Sequence, residues 1–427
     1  MARTFSPVVE TSQQVRTLEN GVTLLTERLP HLRSVSVGVW IKTGSASEPP
    51  HLTGISHFLE HLFFKGTSTR TVRQLMEAIE SRGGLLNAYT SRDYTCLYAK
   101  TLDTHLATAV EILGDILCDS QFFDFEKERN VVLEEIVSNE DVPEEYLHDL
   151  FMSGLFPEHS LGAPIAGTQA SVLEITLEDV RAHYATWYHP RNIIVSVAGN
   201  FDEYEIRDLA EKAFAPLGAG DGPAAPVYEA PSLGTGIREY PRNIAQSHCC
   251  IGFPGPKTDN PNRFVYDLLS NALGGGSTSR LFDRIREQEG LSYAIYTFQS
   301  AYYRAGVLGI YAAVAPENLD RTLELTFEEI RGIRDKSISP RELDLSREQL
   351  KGGLLMALEN TSHRMSRMAK SYIYHDRVVP LDELIEKIDA VTPESVHELA
   401  NHTLQPESCL VTVLGPEHAL HLSEIPL

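Results

Sequence analysis

The sequence contains no apolar run approaching the roughly 18 residues that a membrane-spanning helix needs. Its opening, Met1 to Val8, lacks the charged-then-apolar layout of a secretory signal. Cysteine is sparse. Cys96, Cys118, Cys249, Cys250 and Cys409 are odd in number and no two have CxxC spacing, which argues against a disulfide framework or a thiolate zinc site and makes them small apolar residues. Basic charge is also short: 37 Lys+Arg against 59 Asp+Glu give a net charge of -22. That balance disfavours broad contact with nucleic acid or an anionic membrane and favours basic or unfolded polypeptide partners. These absences read as a cytoplasmic protein. The glycine-rich run Gly274 to Arg280 lacks the lysine of a phosphate loop and follows a helix rather than a strand, so it reads as a connection.

The 427 residues, 42% hydrophobic and 22% charged, are enough for two or three globular domains with sizeable cores. From Pro216 to Thr235 the chain is rich in Gly, Pro and Ala and has no helical period, as expected of an extended linker. It separates residues 1–215 from 236–427. The two parts repeat one order of elements. In each, an alternating strand (Ser34 to Ser45; SHCCIGFPGP) leads to a helix (Gly54 to Gly66; FVYDLLSNALGGG). Strand-rich stretches follow, Leu85 to Thr101 and Leu291 to Val314, then helical segments. Each part closes on a capped helix and a strand, with Thr176 and Asp179 or Thr392 and Ser395 at the helix start. The expected fold is therefore α+β: two similar domains, each an antiparallel-rich sheet covered by helices, joined by the Pro/Gly-rich linker.

The chemistry is not repeated. His57, Glu60 and His61 form HFLEH within the first part's helix. Residues four apart share a helical face, so the two imidazoles can serve one metal ion, with Glu60 beside it and not required as a ligand. This inverts the HExxH zinc motif while keeping its roles. Zinc catalysis needs three protein ligands and an open position. The acidic segment FEKERNVVLEEIVSNED offers Glu128, Glu134, Glu135 and Glu140 as the third. Glu128 and Glu135, seven apart, share a face, so one can ligate while the other orients a histidine; spacing does not say which. Farther on, Leu85 to Thr101 alternates apolar and polar residues as a half-exposed strand able to pair with an extended peptide. Glu145 and Asp149, four apart, can present two carboxylates to a basic side chain.

HFLEH within GISHFLEHLFFKGT, followed by NAYTSRDYTCLY and ERNVVLEE, resembles the pitrilysin (inverzincin) family of zinc peptidases, and the length and duplicated layout resemble its mitochondrial processing peptidase branch. The resemblance spans essentially the whole chain. It implies one Zn2+ per chain held by His57, His61 and Glu135, with Glu60 as general base and Glu128 behind a histidine ligand. It implies that Asn87 and Ala88 hold the substrate backbone, and that Arg286 and Tyr293 contact substrate, Tyr293 donating to the developing oxyanion. Glu145 and Asp149 fall where processing peptidases recognise an arginine near the cleavage site. The implied activity is endopeptidase cleavage of extended or unfolded peptides inside a chamber completed by a homodimer or a homologous partner subunit. The alternative is a noncatalytic peptide-binding or scaffold protein of the same fold.

Overall fold

The structure is a computed structural model describing residues 13–220, 222–226, 228–417 and 425; the Met1 to Val8 opening lies outside the described residues. The first half forms β1 (Gln13–Thr17), β2 (Thr23–Arg28), β3 (Ser34–Ile41), α1 (Ile55–Phe63), α2 (Val72–Glu80), β4 (Leu85–Thr90), β5 (Thr95–Leu102), α3 (Leu106–Asp119), α4 (Phe125–Glu140), α5 (Pro143–Leu155), α6 (Gln169–Glu174), α7 (Leu177–Trp187), β6 (Ile193–Gly199) and α8 (Glu203–Phe214). The second half forms β7 (Gly236–Pro241), β8 (Ser247–Pro254), α9 (Arg263–Gly274), a π-helical turn (Phe282–Gln288), β9 (Ser292–Ala301), β10 (Gly306–Val314), α10 (Leu319–Lys336), α11 (Pro340–Ala357), α12 (Thr361–His375), α13 (Leu381–Asp389), α14 (Pro393–Thr403) and β11 (Leu410–Gly415). Among the described residues of 218–235 there is no helix or strand. No helix of the described residues is long and apolar enough to cross a membrane.

The expected duplicated α+β architecture is what forms. One sheet has the order β1-β2-β6-β3-β5-β4, the other β7-β11-β8-β10-β9. Omitting β1, the two orders match strand for strand. Each sheet contains a single parallel pair, β2 with β6 and β7 with β11, and is otherwise antiparallel. The capping boxes at Thr176/Asp179 and Thr392/Ser395 are both made. The stretch Leu85 to Thr101 is not one strand: it folds back into β4 and β5 through a turn closed by Ser91 N–H donating to the Tyr94 carbonyl at 2.8 Å. Ser91, Arg92 and Asp93 supply the turn residues that end the alternation.

The two compact units draw on both sides of the linker. One comprises the chain up to Val132, Ile165–Pro226 and Met356–Val379; the other Leu133–Pro164, Val227–Leu355 and the chain from Pro380. Thus α12, from the second half, packs on β3 and β6 of the first sheet, and α5, from the first half, packs on β8 and β11 of the second. The exchange explains why β3 is buried from Val35 onward despite its alternating SVSVGVWI sequence. Ser36, buried, meets the hydroxyls of Thr361 and Ser362 at 2.9 and 3.0 Å, and Ser196 donates to the Met365 carbonyl at 2.9 Å. At Gly38 a Cβ would stand 3.3 Å from Met365. In the second unit Gly252, at the corresponding place on β8, admits the Phe151 ring, which a Cβ would meet at 2.3 Å. Cys249, Ile251 and Phe253 point the other way, into a core shared with α9, α10 and α14.

Helix α12 is also fixed by charge. Arg364 donates to the almost completely buried Glu27 on β2 at 2.6 Å. Removing one partner of a buried ion pair leaves the other's charge less compensated, here with Arg367 still facing Glu27. Arg364→Met is therefore expected to destabilise the first unit by about 3 kcal/mol. Both tryptophans, Trp40 and Trp187, lie in that unit, so denaturant unfolding followed by tryptophan fluorescence reads the effect.

Candidate metal centre

Helix α1 buries Ile55, Ser56, Phe58, Leu59, Leu62 and Phe63 completely or nearly so. The remaining stripe, His57, Glu60 and His61, is half-buried. The helix start is set by two backbone crossings and a carboxylate. Gly54, with φ +96°, precedes the first turn, and a Cβ there would stand 2.6 Å from the Ala166 carbonyl. Gly167, φ +81°, closes against Thr53 in the same way. The buried Glu48 accepts from Gly54 N–H at 2.7 Å and Ser56 N–H at 2.8 Å, satisfying amides that the first turn leaves unpaired.

His57, His61 and Glu135 converge: one donor atom from each lies within 4.8 Å of the other two. The imidazole centroids are 4.8 Å apart. Glu135 stands on α4, three residues past the point where the compact units divide, on one uninterrupted helix. Two neutral nitrogens and a carboxylate oxygen are a donor set suited to zinc, whose bonds of about 2.0–2.2 Å draw such atoms to within about 3.5 Å of one another. The residues fit the ion with a small inward adjustment. Glu128, one helical face along from Glu135 and 2% exposed, lies with Oε2 3.6 Å from His61 Nδ1 and Oε1 2.8 Å from Lys65 Nζ.

Glu60 accepts from the Thr90 hydroxyl at 2.5 Å. Thr90 ends β4, which is the edge of its sheet. On that strand Asn87 and Leu85 are exposed while Leu86 and Ala88 are buried, and the Ala88 amide donates to the Asn87 side chain at 2.8 Å. Arg286, Tyr293, Glu145 and Asp149 belong to the second unit. Arg286 lies in the π-helical turn, donates to the Tyr293 carbonyl at 3.1 Å and stacks over the Phe282 ring at 4.7 Å. Gly290, φ +66°, lies between them, and Tyr293 is 87% exposed. Glu145 is exposed and Asp149 half-buried on α5.

Lys65, Thr90, Glu48 and His183 escaped the sequence reading. Lys65, four residues after His61, had a readable helical spacing; the other three meet α1 only through tertiary folding. His183 on α7 is buried with Nε2 3.5 Å from Ser56 Oγ. Burial holds its pKa down at about 4, and burial raises that of Glu48 to about 7 against the opposing hydrogen bonds from Gly54 and Ser56. The two act oppositely on stability. The His183 contribution is present above its unfolded value near 6.5 and is lost as pH falls toward 4. The Glu48 contribution is complete below 4.5 and is lost as pH rises through 7. Between pH 7 and 5 each changes by about 2 kcal/mol, so they nearly cancel. Relative to wild type, His183→Gln is expected to gain about 2 kcal/mol on acidification from pH 7 to 5 and Glu48→Gln to lose about as much, measured by urea unfolding at the two pH values.

Residues 23–169 match the family model described as Insulinase (Peptidase family M16), and residues 174–350 match Peptidase M16 inactive domain. The chain is 39% identical over 401 residues to YmxG, an "uncharacterized zinc protease" of Bacillus subtilis, covering 93% of this chain and 97% of that one. It is 35% identical over 409 residues to an "uncharacterized zinc protease" of Streptomyces coelicolor, covering 94% and 89%. Among solved structures, a protease from Helicobacter pylori superimposes with TM-score 0.90 at 22% identity, over 95% of this chain and all of that one. A peptidase M16 inactive domain from Pseudomonas fluorescens gives 0.88 at 19%, over 97% and 100%. With both halves matched in order and relatives aligned almost end to end, the chain belongs to the M16 peptidase family.

Proposed function

We propose that the chain is a zinc-dependent endopeptidase acting on extended or unfolded peptides. The convergence of His57, His61 and Glu135, with Glu60 on the same half-buried stripe of α1, carries this reading. A bound zinc ion supplies a Lewis acid that polarises the scissile carbonyl and acidifies water. In this reading Glu60 takes a proton from the attacking water and returns it to the leaving amine as the C–N bond breaks. Glu128 orients His61 through the Nδ1 side, leaving Nε2 for the metal, and Lys65 balances the Glu128 charge.

The β4 edge is proposed to take the peptide backbone by strand addition, with Asn87 releasing the Ala88 amide as substrate arrives. Arg286 and Tyr293 are assigned contacts with substrate, and the mutual bond between them supports a joint role. The net charge of -22 supports a preference for basic side chains, for which Glu145 and Asp149 are the proposed acceptors. Action in the cytoplasm as a homodimer that encloses the substrate, with residues 1–215 catalytic and 236–427 holding substrate, completes the proposal.

Elemental analysis and turnover of a quenched fluorescent peptide test it. Purified protein is expected to hold one zinc per chain and to lose cleavage on chelation. Glu60→Gln should keep the metal and lose at least about 10³-fold in kcat, whereas Glu135→Ala should lose the metal itself. Glu128→Gln is expected to weaken zinc binding by about 10- to 100-fold. Protein without zinc, inactive after zinc is added, would favour the scaffold alternative.

A further inference from the structure

Thr90 and Glu60 come from different elements, yet their side chains meet at 2.5 Å, within the range of a hydroxyl donating to a carboxylate. The strand that carries Thr90 is tightly defined. It pairs with β5 up to Thr90 opposite Thr95, whose hydroxyl donates to the Thr43 carbonyl at 3.1 Å, and the hairpin turn closes immediately beyond. α1 packs on this strand. Alternation puts Thr90 on the same side as buried Leu86 and Ala88 and opposite to Asn87. A β-branched side chain has restricted χ1, so the hydroxyl direction is set by the backbone. A glutamate has three torsions to fix; anchoring Oε2 also fixes where Oε1 points.

We propose that Thr90 is the positioning residue for Glu60: its hydroxyl holds one carboxylate oxygen so that the other faces the reacting water. The inference rests on the reading of Glu60 as general base and adds a coupling to it. The strand assigned to the peptide backbone is also the strand that aims the base, so displacement of one reactant displaces the other. Serine keeps the donor; valine keeps the shape and the branch without it.

The test compares Thr90→Val and Thr90→Ser in the full chain, with Thr90→Ala as a second donor-free variant should valine disturb folding. The readouts are zinc content, kcat and KM on the fluorescent peptide, and crystal structures of the zinc-loaded proteins. Thr90→Val is expected to keep zinc and KM within about twofold while kcat falls by about 10- to 100-fold, the scale of a misplaced catalytic group. Thr90→Ser should return kcat to within about threefold of wild type. In the valine crystals the Glu60 carboxylate should leave its place by more than about 1 Å, the displacement that scale of loss implies. Undiminished kcat in Thr90→Val, equal losses in the serine and valine variants, or an unmoved Glu60 carboxylate would each overturn the proposal. If wild-type protein cleaves nothing, the peptidase reading fails, and the crystal comparison still decides the positioning of Glu60 by itself.

Discussion

One nine-residue helix has to satisfy two incompatible neighbours, and much of the first unit is arranged around that constraint. α1 presses six side chains into the interior while its opposite stripe brings His57 and His61 to Glu135. Such a helix cannot shift or rotate to relieve a misfit, because any movement that suits the imidazoles would open the packing beneath them. Its start is correspondingly over-determined, by the left-handed Gly54, the facing Gly167 and the Glu48 carboxylate. Glu48 and His183 each meet Ser56 and strain in opposite directions with pH.

The second unit reproduces the framework without a counterpart of the HFLEH motif. Where α1 meets β4 through Glu60 and Thr90, α9 packs on β9 through Asp267, which accepts from Gln299 at 3.1 Å, and through Thr297, which donates to the Ser270 carbonyl at 2.8 Å. α9 carries no histidine. Burial raises the Asp267 pKa, in keeping with a carboxyl enclosed for structure. The exposed aromatic Tyr293 and the π-helical turn before it mark where this unit departs from simple packing. π-turns often accompany functional sites because the extra residue per turn redirects a side chain.

Local signals carried much of this organisation. The duplicated order of elements, the Thr176 capping box and the matching helix start at Thr392, the HFLEH face and the seven-residue spacing of Glu128 and Glu135 were legible because each is written over a few turns or strands. Whatever depended on distant chain was not. Ser36 and Ser196 are buried because α12 arrives from over 150 residues away in sequence to bond them, which nothing in the local pattern of β3 or β6 signals. β1, β2 and β7 are short and mostly half-exposed or mixed in polarity, so their sequences carry weak period-two signals. The contribution of Thr90 was hidden for a similar reason: a threonine at a strand end has many uses, and only folding shows that its hydroxyl lands on Glu60.

The lending of α5 and α12 across the linker has a mechanical meaning. A cut anywhere between Gly218 and Thr235 passes through no helix or strand among the described residues, yet it frees neither fragment. The leading piece would still have its α5 lodged on the trailing sheet, and the trailing piece its α12 on the leading one. The two are handcuffed noncovalently, so the linker is not the sole bond between the halves of the folded molecule.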